Sequence, residues 1–207
     1  MSEMSAENKR GRGRPRGSST AGRRIFTAAL QVFAERGLHG STVEEIIAVA
    51  GVSRPTFYRT FTSKEAVYDA IVERGLREVD LILASAITEA DALATEDEKM
   101  DFVLRNYLQA CLATGPLVEI MNQVEYERPE LKATRDASRQ RVGALLSDAI
   151  GTAGYAEPDP LLLEGFMAAI DRVVCLCYRE HADPAERFDR AWGILEPLSA
   201  SFAAIVR

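Results

Sequence analysis

The sequence predicts an all-α chain in two parts, a small N-terminal helix-turn-helix unit of three helices and a larger helical body. Three observations carry this prediction. Apolar residues recur at three- and four-residue spacing through most of the 207 positions, the pattern of helices that each bury one stripe. Helix-capping residues punctuate the stretch from Ser41 to Glu65 more densely than any other. Charge is also unevenly divided: residues 1–62 hold ten Lys and Arg against five Asp and Glu, while the remainder holds 15 against 26. A basic end is thus joined to an acidic body, which attracts a polyanion to one end and orients it there.

Composition excludes several classes. With 47% apolar and 27% charged residues the chain is an ordinary globular one. No apolar run approaches a membrane span, and the N-terminus lacks the apolar core of a signal peptide, so a cytoplasmic location is expected. Cys111, Cys175 and Cys177 have no metal-binding spacing and stand apart from His39 and His181 in sequence. They are expected to be buried apolar thiols, with no metal and no cofactor. No Ser-His-Asp arrangement and no phosphate-cradling glycine loop occurs, which disfavours an enzyme.

In chain order, residues 1–18 read as an unfolded basic arm. Arg12, Arg14 and Arg16 alternate with Gly11, Gly13, Pro15 and Gly17, a spacing that suits an extended backbone inserting guanidinium groups into a narrow minor groove. A nonspecific or merely solubilising tail is the alternative. A first helix is predicted from Ser19 to Arg36, with Ile25, Ala29 and Phe33 on one stripe, ended by Gly37. His39 is expected in the following surface turn. Ser41 or Thr42 then caps a second helix, with Glu44 or Glu45 placed to complete a capping box, and Gly51 ends it. Ser53 caps a third helix from Arg54 to Phe61, and Pro55 is tolerated because it lies in the first turn. The outer face of this short helix carries Arg54, Thr56, Tyr58, Arg59 and Thr60, groups suited to base edges and phosphates in a major groove.

A long helix opens at Lys64 and is predicted to run to about Ala94. Further helices are expected at about Asp97–Thr114, Leu117–Glu127, Pro129–Ile150, Leu161–His181 and Ala185–Val206, with a break at Gly115-Pro116 and a kink at Pro197. The last two helices are apolar on more than one face and need two partners each, so a second copy of the chain is the natural cover.

The run Thr42, Val43, Ile46, Ala50, Gly51, Val52, Ser53, Thr56, Phe57, Tyr58, Phe61, Lys64 and Glu65 resembles the TetR family of bacterial transcriptional regulators, and the likeness extends upstream through Ile25 to Gly37. Ile47 stands where that family usually has Ala, and Thr60 where a His, Tyr or Asn is common. The resemblance implies a helix-turn-helix DNA-binding domain over residues 19–64 and an effector-binding and dimerisation domain over 65–207. It implies a homodimer through the last two helices, acting on double-stranded DNA at a palindromic operator, most often as a repressor released by a small-molecule effector.

On this reading Arg54, Pro55 and Arg59 face bases, and Thr42, Ser53, Thr56, Tyr58 and Lys64 hold phosphates. Phe102, Tyr107, Cys111, Met121, Tyr126 and Phe166 are candidates to line a largely apolar effector cavity, and Glu119 and Glu125 would favour a cationic ligand. A constitutive architectural DNA-binding protein and a helical small-molecule binder remain as alternatives.

Overall fold

The computed structural model describes residues 20–113, 117–152, 154–180 and 183–206, all of their regular structure helical. The predicted arm with Arg12, Arg14 and Arg16, the Gly115-Pro116 break, His181 and the side chains of Glu119 and Glu125 lie outside the described residues. The helices are α1 (Thr20–Arg36), α2 (Val43–Ala50), α3 (Arg54–Thr60), α4 (Lys64–Ala90), α5 (Glu96–Ala113), α6 (Leu117–Glu127), α7 (Lys132–Thr152), α8 (Pro160–Glu180) and α9 (Pro184–Val206). A single 3-10 turn, Pro129–Leu131, joins α6 to α7.

Local chemistry sets these boundaries. Of the two possible caps for α2 the chain uses Thr42. Its Oγ1 accepts from the Glu45 amide at 3.2 Å while the Thr42 amide donates to Glu45 Oε2 at 2.8 Å, closing a capping box. Ser41 is instead buried, its hydroxyl donating to the Leu38 carbonyl at 2.8 Å. Gly51, left-handed at φ 58°, ends α2. Ser53 and Ser63 cap α3 and α4. The long helix stops at Ala90, short of its predicted end, because Thr95 and Glu98 form a second capping box that begins α5 one residue earlier than expected. Helix α9 continues through Pro197, so the predicted kink does not break it.

Two apolar cores result, and their division does not follow chain order. One contains α1, Ile46, Ala50 and Phe57 of the reading unit, the Val67–Val72 stretch of α4, and Leu117, Ile120 and Val124 of α6. The other joins the far half of α4 to α5, α7, α8 and α9. Helix α4 therefore threads both cores, and α6 is packed with the N-terminal helices.

The α1–α2 turn is held from two sides. Both oxygens of Glu127, the last residue of α6, accept from the Leu38 amide at 2.8 Å. Lys64 Nζ donates to the Leu38 and Ser41 carbonyls, each at 2.7 Å. The turn begins at Gly37, whose φ of 70° is costly for any residue with a Cβ, and a Cβ there would also collide with Glu127 Oε1. Gly37→Ala is expected to destabilise the fold by about 1–3 kcal/mol, combining left-handed strain with a displaced carboxylate. Chemical denaturation of the two proteins checks this, and equal midpoints would refute it.

Candidate nucleic-acid interface and adjoining cavity

Helix α3 is anchored by one residue and presents the rest. Phe57 is fully buried, packing edge-on against Tyr58 with ring centroids 5.3 Å apart. Arg54, Pro55, Tyr58 and Arg59 are exposed, and Thr56 is half-buried. This arrangement follows from the cap: Ser53 Oγ receives the Thr56 amide and sets the first turn, so the buried Phe57 directs the opposite face outward.

The predicted contact residues differ in how freely they are presented. Arg54 forms an ion pair with Glu44 of α2, and its guanidinium carbon lies 5.5 Å from the centre of the Tyr58 ring. Because both partners of that pair are well exposed, it is worth little in water and a stronger anion can displace it. Arg59 is exposed and in no ion pair among the described residues. Ser53 and Thr56 share a hydroxyl–hydroxyl bond of 2.9 Å. Lys64 has two of its three donors committed to the α1–α2 turn, which leaves one for another acceptor.

Thr42, Tyr58 and Lys64 do meet in space. With Ser41, Thr62 and Ser63 they rim an open hollow of about 330 Å³ that gathers the first turns of both α2 and α4. Two helix N-termini ringed by hydroxyls favour an anion. Thr62 and Ser63 were not singled out in sequence, where they read only as the cap of α4.

Behind this unit a cavity of about 200 Å³ lies among α4, α5, α6, α7 and α8. Of the six predicted lining residues, Tyr107, Cys111 and Met121 are there. The other three are corrected. Phe166 stacks on Phe202 with ring centroids 4.6 Å apart, Phe102 packs against the C-terminal core, and Tyr126 is 84% exposed. They were chosen by residue type, which does not reveal the direction a side chain takes.

The cavity also holds polar groups that sequence reasoning passed over, namely Arg135, Ser138 and Arg139 of α7 and Asp171 of α8. Arg139 bonds Asp171 Oδ2 through Nη1 and Glu164 Oε1 through Nε, each at 2.5 Å. Burial pushes the Asp171 carboxyl above its usual range against the pull of Arg139. Burial, joined by the Asp171 charge, also pushes the Cys111 thiol up and keeps it protonated. The available signal was α7 itself, whose inward spacing of 135, 138, 139 and 142 is mostly polar.

Comparison with known proteins agrees with this architecture. Residues 25–71 match the model of bacterial regulatory proteins of the tetR family. The chain is 36% identical over 84 residues to the transcriptional activator FasR of Mycolicibacterium smegmatis, covering 36% of this chain and 38% of that one. It is 30% identical over 124 residues to the transcriptional repressor BepR of Brucella suis, covering 53% and 59%. The chain thus spans between about two fifths and three fifths of these relatives' lengths.

The fold recurs in a tetR-family regulatory protein from Rhodococcus RHA1, with a TM-score of 0.67 at 23% identity over 90% of this chain and 98% of that one. It recurs also in FadR from Bacillus subtilis, solved with stearoyl-CoA, with a TM-score of 0.63 at 21% identity over 86% and 97%. With the matched reading unit at its N-terminus and this fold along most of its length, the chain belongs to the TetR family of bacterial regulatory proteins.

Proposed function

We propose that this protein is a homodimeric transcriptional repressor that acts in the cytoplasm on a palindromic operator and is released from it by a small-molecule effector. The observation that carries the reading is α3, seven residues long, with Phe57 locked in the core and Pro55, Tyr58 and Arg59 turned outward. A short helix fixed by its neighbours and rich in outward donors is what the major groove accepts. Arg54 and Arg59 would read base edges and Pro55 a thymine methyl. Thr42, Ser53, Thr56, Tyr58 and Lys64 would take phosphates, with Arg12, Arg14 and Arg16 adding minor-groove affinity. The domain reading remains residues 19–64 for DNA and 65–207 for effector and partner, although α6 packs across that line.

A second copy of the chain is supported by the outer faces of α8 and α9. Leu161 and Leu176 on α8 and Ile194, Leu198 and Ile205 on α9 are between 38% and 79% exposed. Gly165 and Gly193 have no neighbour within 4 Å of a built Cβ, so a partner helix could approach there closely. A two-fold dimer sets two α3 helices about one DNA turn apart and explains a palindromic target. The repressor sense is that of BepR.

Effector release requires the ligand to prefer one spacing of the two reading units. Helix α6 offers the connection, since Leu117 and Met121 line the cavity and Glu127 holds the α1–α2 turn. FadR, with its stearoyl-CoA, illustrates a ligand in this fold.

Selection from random duplex DNA with the full-length protein tests the reading: one enriched palindrome is expected, and recovery of no preferred sequence would overturn it. Arg59→Ala should cost about 1–3 kcal/mol of operator affinity and relax base preference at one position of each half-site, measured by competition binding. Uniform weakening on all sequences would reassign Arg59 to the backbone. Ile194→Asp combined with Leu198→Asp should yield a monomer in light scattering and lose the palindrome; a persisting dimer would place the interface elsewhere.

A further inference from the structure

The cavity has one polar end and one thin wall. Its polar end is built by Arg135, Ser138 and Arg139 on α7 with Asp171 opposite, and its other surfaces are aliphatic, including Leu76, Val79 and Val142. The thin wall is the contact of Gly75 with Leu117. A Cβ on Gly75 would collide with Leu117 Cδ2, so the leucine side chain occupies the place that any larger residue would fill. The same two residues line a second hollow of about 320 Å³ on the other side, between α1 and α4, where Phe26, Leu30 and Ile71 supply apolar surface.

We propose that the effector is an amphiphilic monoanion, a carboxylate on a single apolar chain, with its head on Arg135 and its chain running past Leu117 into the α1–α4 cleft. This deepens the effector reading and rests on it.

The charges lining the cavity are Arg135, Arg139 and Asp171, which leave one positive charge over. Arg139 already serves Asp171 and Glu164, so the excess lies at Arg135, whose distance to the neighbouring Asp136 is 3.8 Å. A guanidinium has five donors in a fork that matches a carboxylate. A ligand ammonium would have to take Asp171 from Arg139, breaking a buried pair whose other member would then stand uncompensated.

Size decides the second half. At about 30 Å³ per heavy-atom-sized occupant, the inner space holds roughly seven such atoms, a carboxylate and a short stub of chain. A longer chain must move Leu117, and the obstructing atom is the far end of a flexible side chain. Once past it, the chain lies on Phe26 and Leu30 of α1, so it touches the reading unit itself.

The test is calorimetric titration of the full-length protein, without DNA, by decanoate and by decyltrimethylammonium of equal chain length. Decanoate should bind at least tenfold more tightly. Arg135→Gln should weaken decanoate tenfold or more, and Arg135→Lys should restore part of the loss. Leu117→Phe should weaken decanoate while leaving hexanoate unchanged. Equal or tighter binding of the ammonium, or an unaltered decanoate affinity in Arg135→Gln, overturns the proposal. Decanoate binding that leaves an operator complex intact would support the ligand class and overturn the effector reading instead.

Discussion

The turn between α1 and α2 is the constraint on which the orientation of the reading helix depends. Five residues, 37–41, carry backbone groups that no helix satisfies. They are met by an anion at the end of α6 and a cation at the start of α4. Charge-assisted bonds of this kind are worth about 1.5–3 kcal/mol each when partly buried, against about 1 kcal/mol for neutral ones. One turn therefore binds four helices, and its two ionic partners come from opposite sides. Moving either α4 or α6 must move the turn or break a charged bond, so α2 and α3 have few independent ways to shift.

Further contacts keep α6 and α4 together near the same place. Arg128 pairs with Asp69 at 2.9 Å just beyond the end of α6, and the buried Tyr68 hydroxyl reaches the Ile120 carbonyl at 3.4 Å. Burial first, then the Glu127 charge, holds that hydroxyl protonated well above the usual tyrosine range, so it remains a donor beside the carboxylate that grips Leu38. The other end of α6 lies against Gly75 and the cavity. Eleven residues thus span from cavity wall to turn, a length of about 16 Å at the helical rise.

Much of this fold was legible because its signals are local. The Thr42–Glu45 box, Gly51, Ser53 and Pro55 each act within four residues, and the boundaries they imply for α2 and α3 agree with the structure within one residue. The end of α4 was less legible. Ala90 to Ala94 suits a helix, and the second capping box at Thr95 competes for the chain only through tertiary packing. Placement of α6 was not legible at all. Periodicity identifies Leu117, Ile120 and Val124 as a buried stripe, yet it carries no record of which core they join.

The site divides along the same line. On α3, the outward face follows from Phe57 being the apolar member of a seven-residue helix, so Pro55, Tyr58 and Arg59 could be named in advance. In the cavity the decisive groups are charged, and a charge in an amphipathic helix ordinarily marks the wet side. Asp171, Arg139 and Glu164 violate that rule only as a set: each is tolerable near the interior because another neutralises it, and the partners are 25 and 32 residues apart. Ser138 is likewise buried because Asp80, 58 residues away, accepts from its hydroxyl at 2.9 Å. A buried polar network is therefore a product of the fold. Its members become recognisable only once α4, α7 and α8 have been brought together, and that is also why relatives that share the reading unit are free to differ in what they bind.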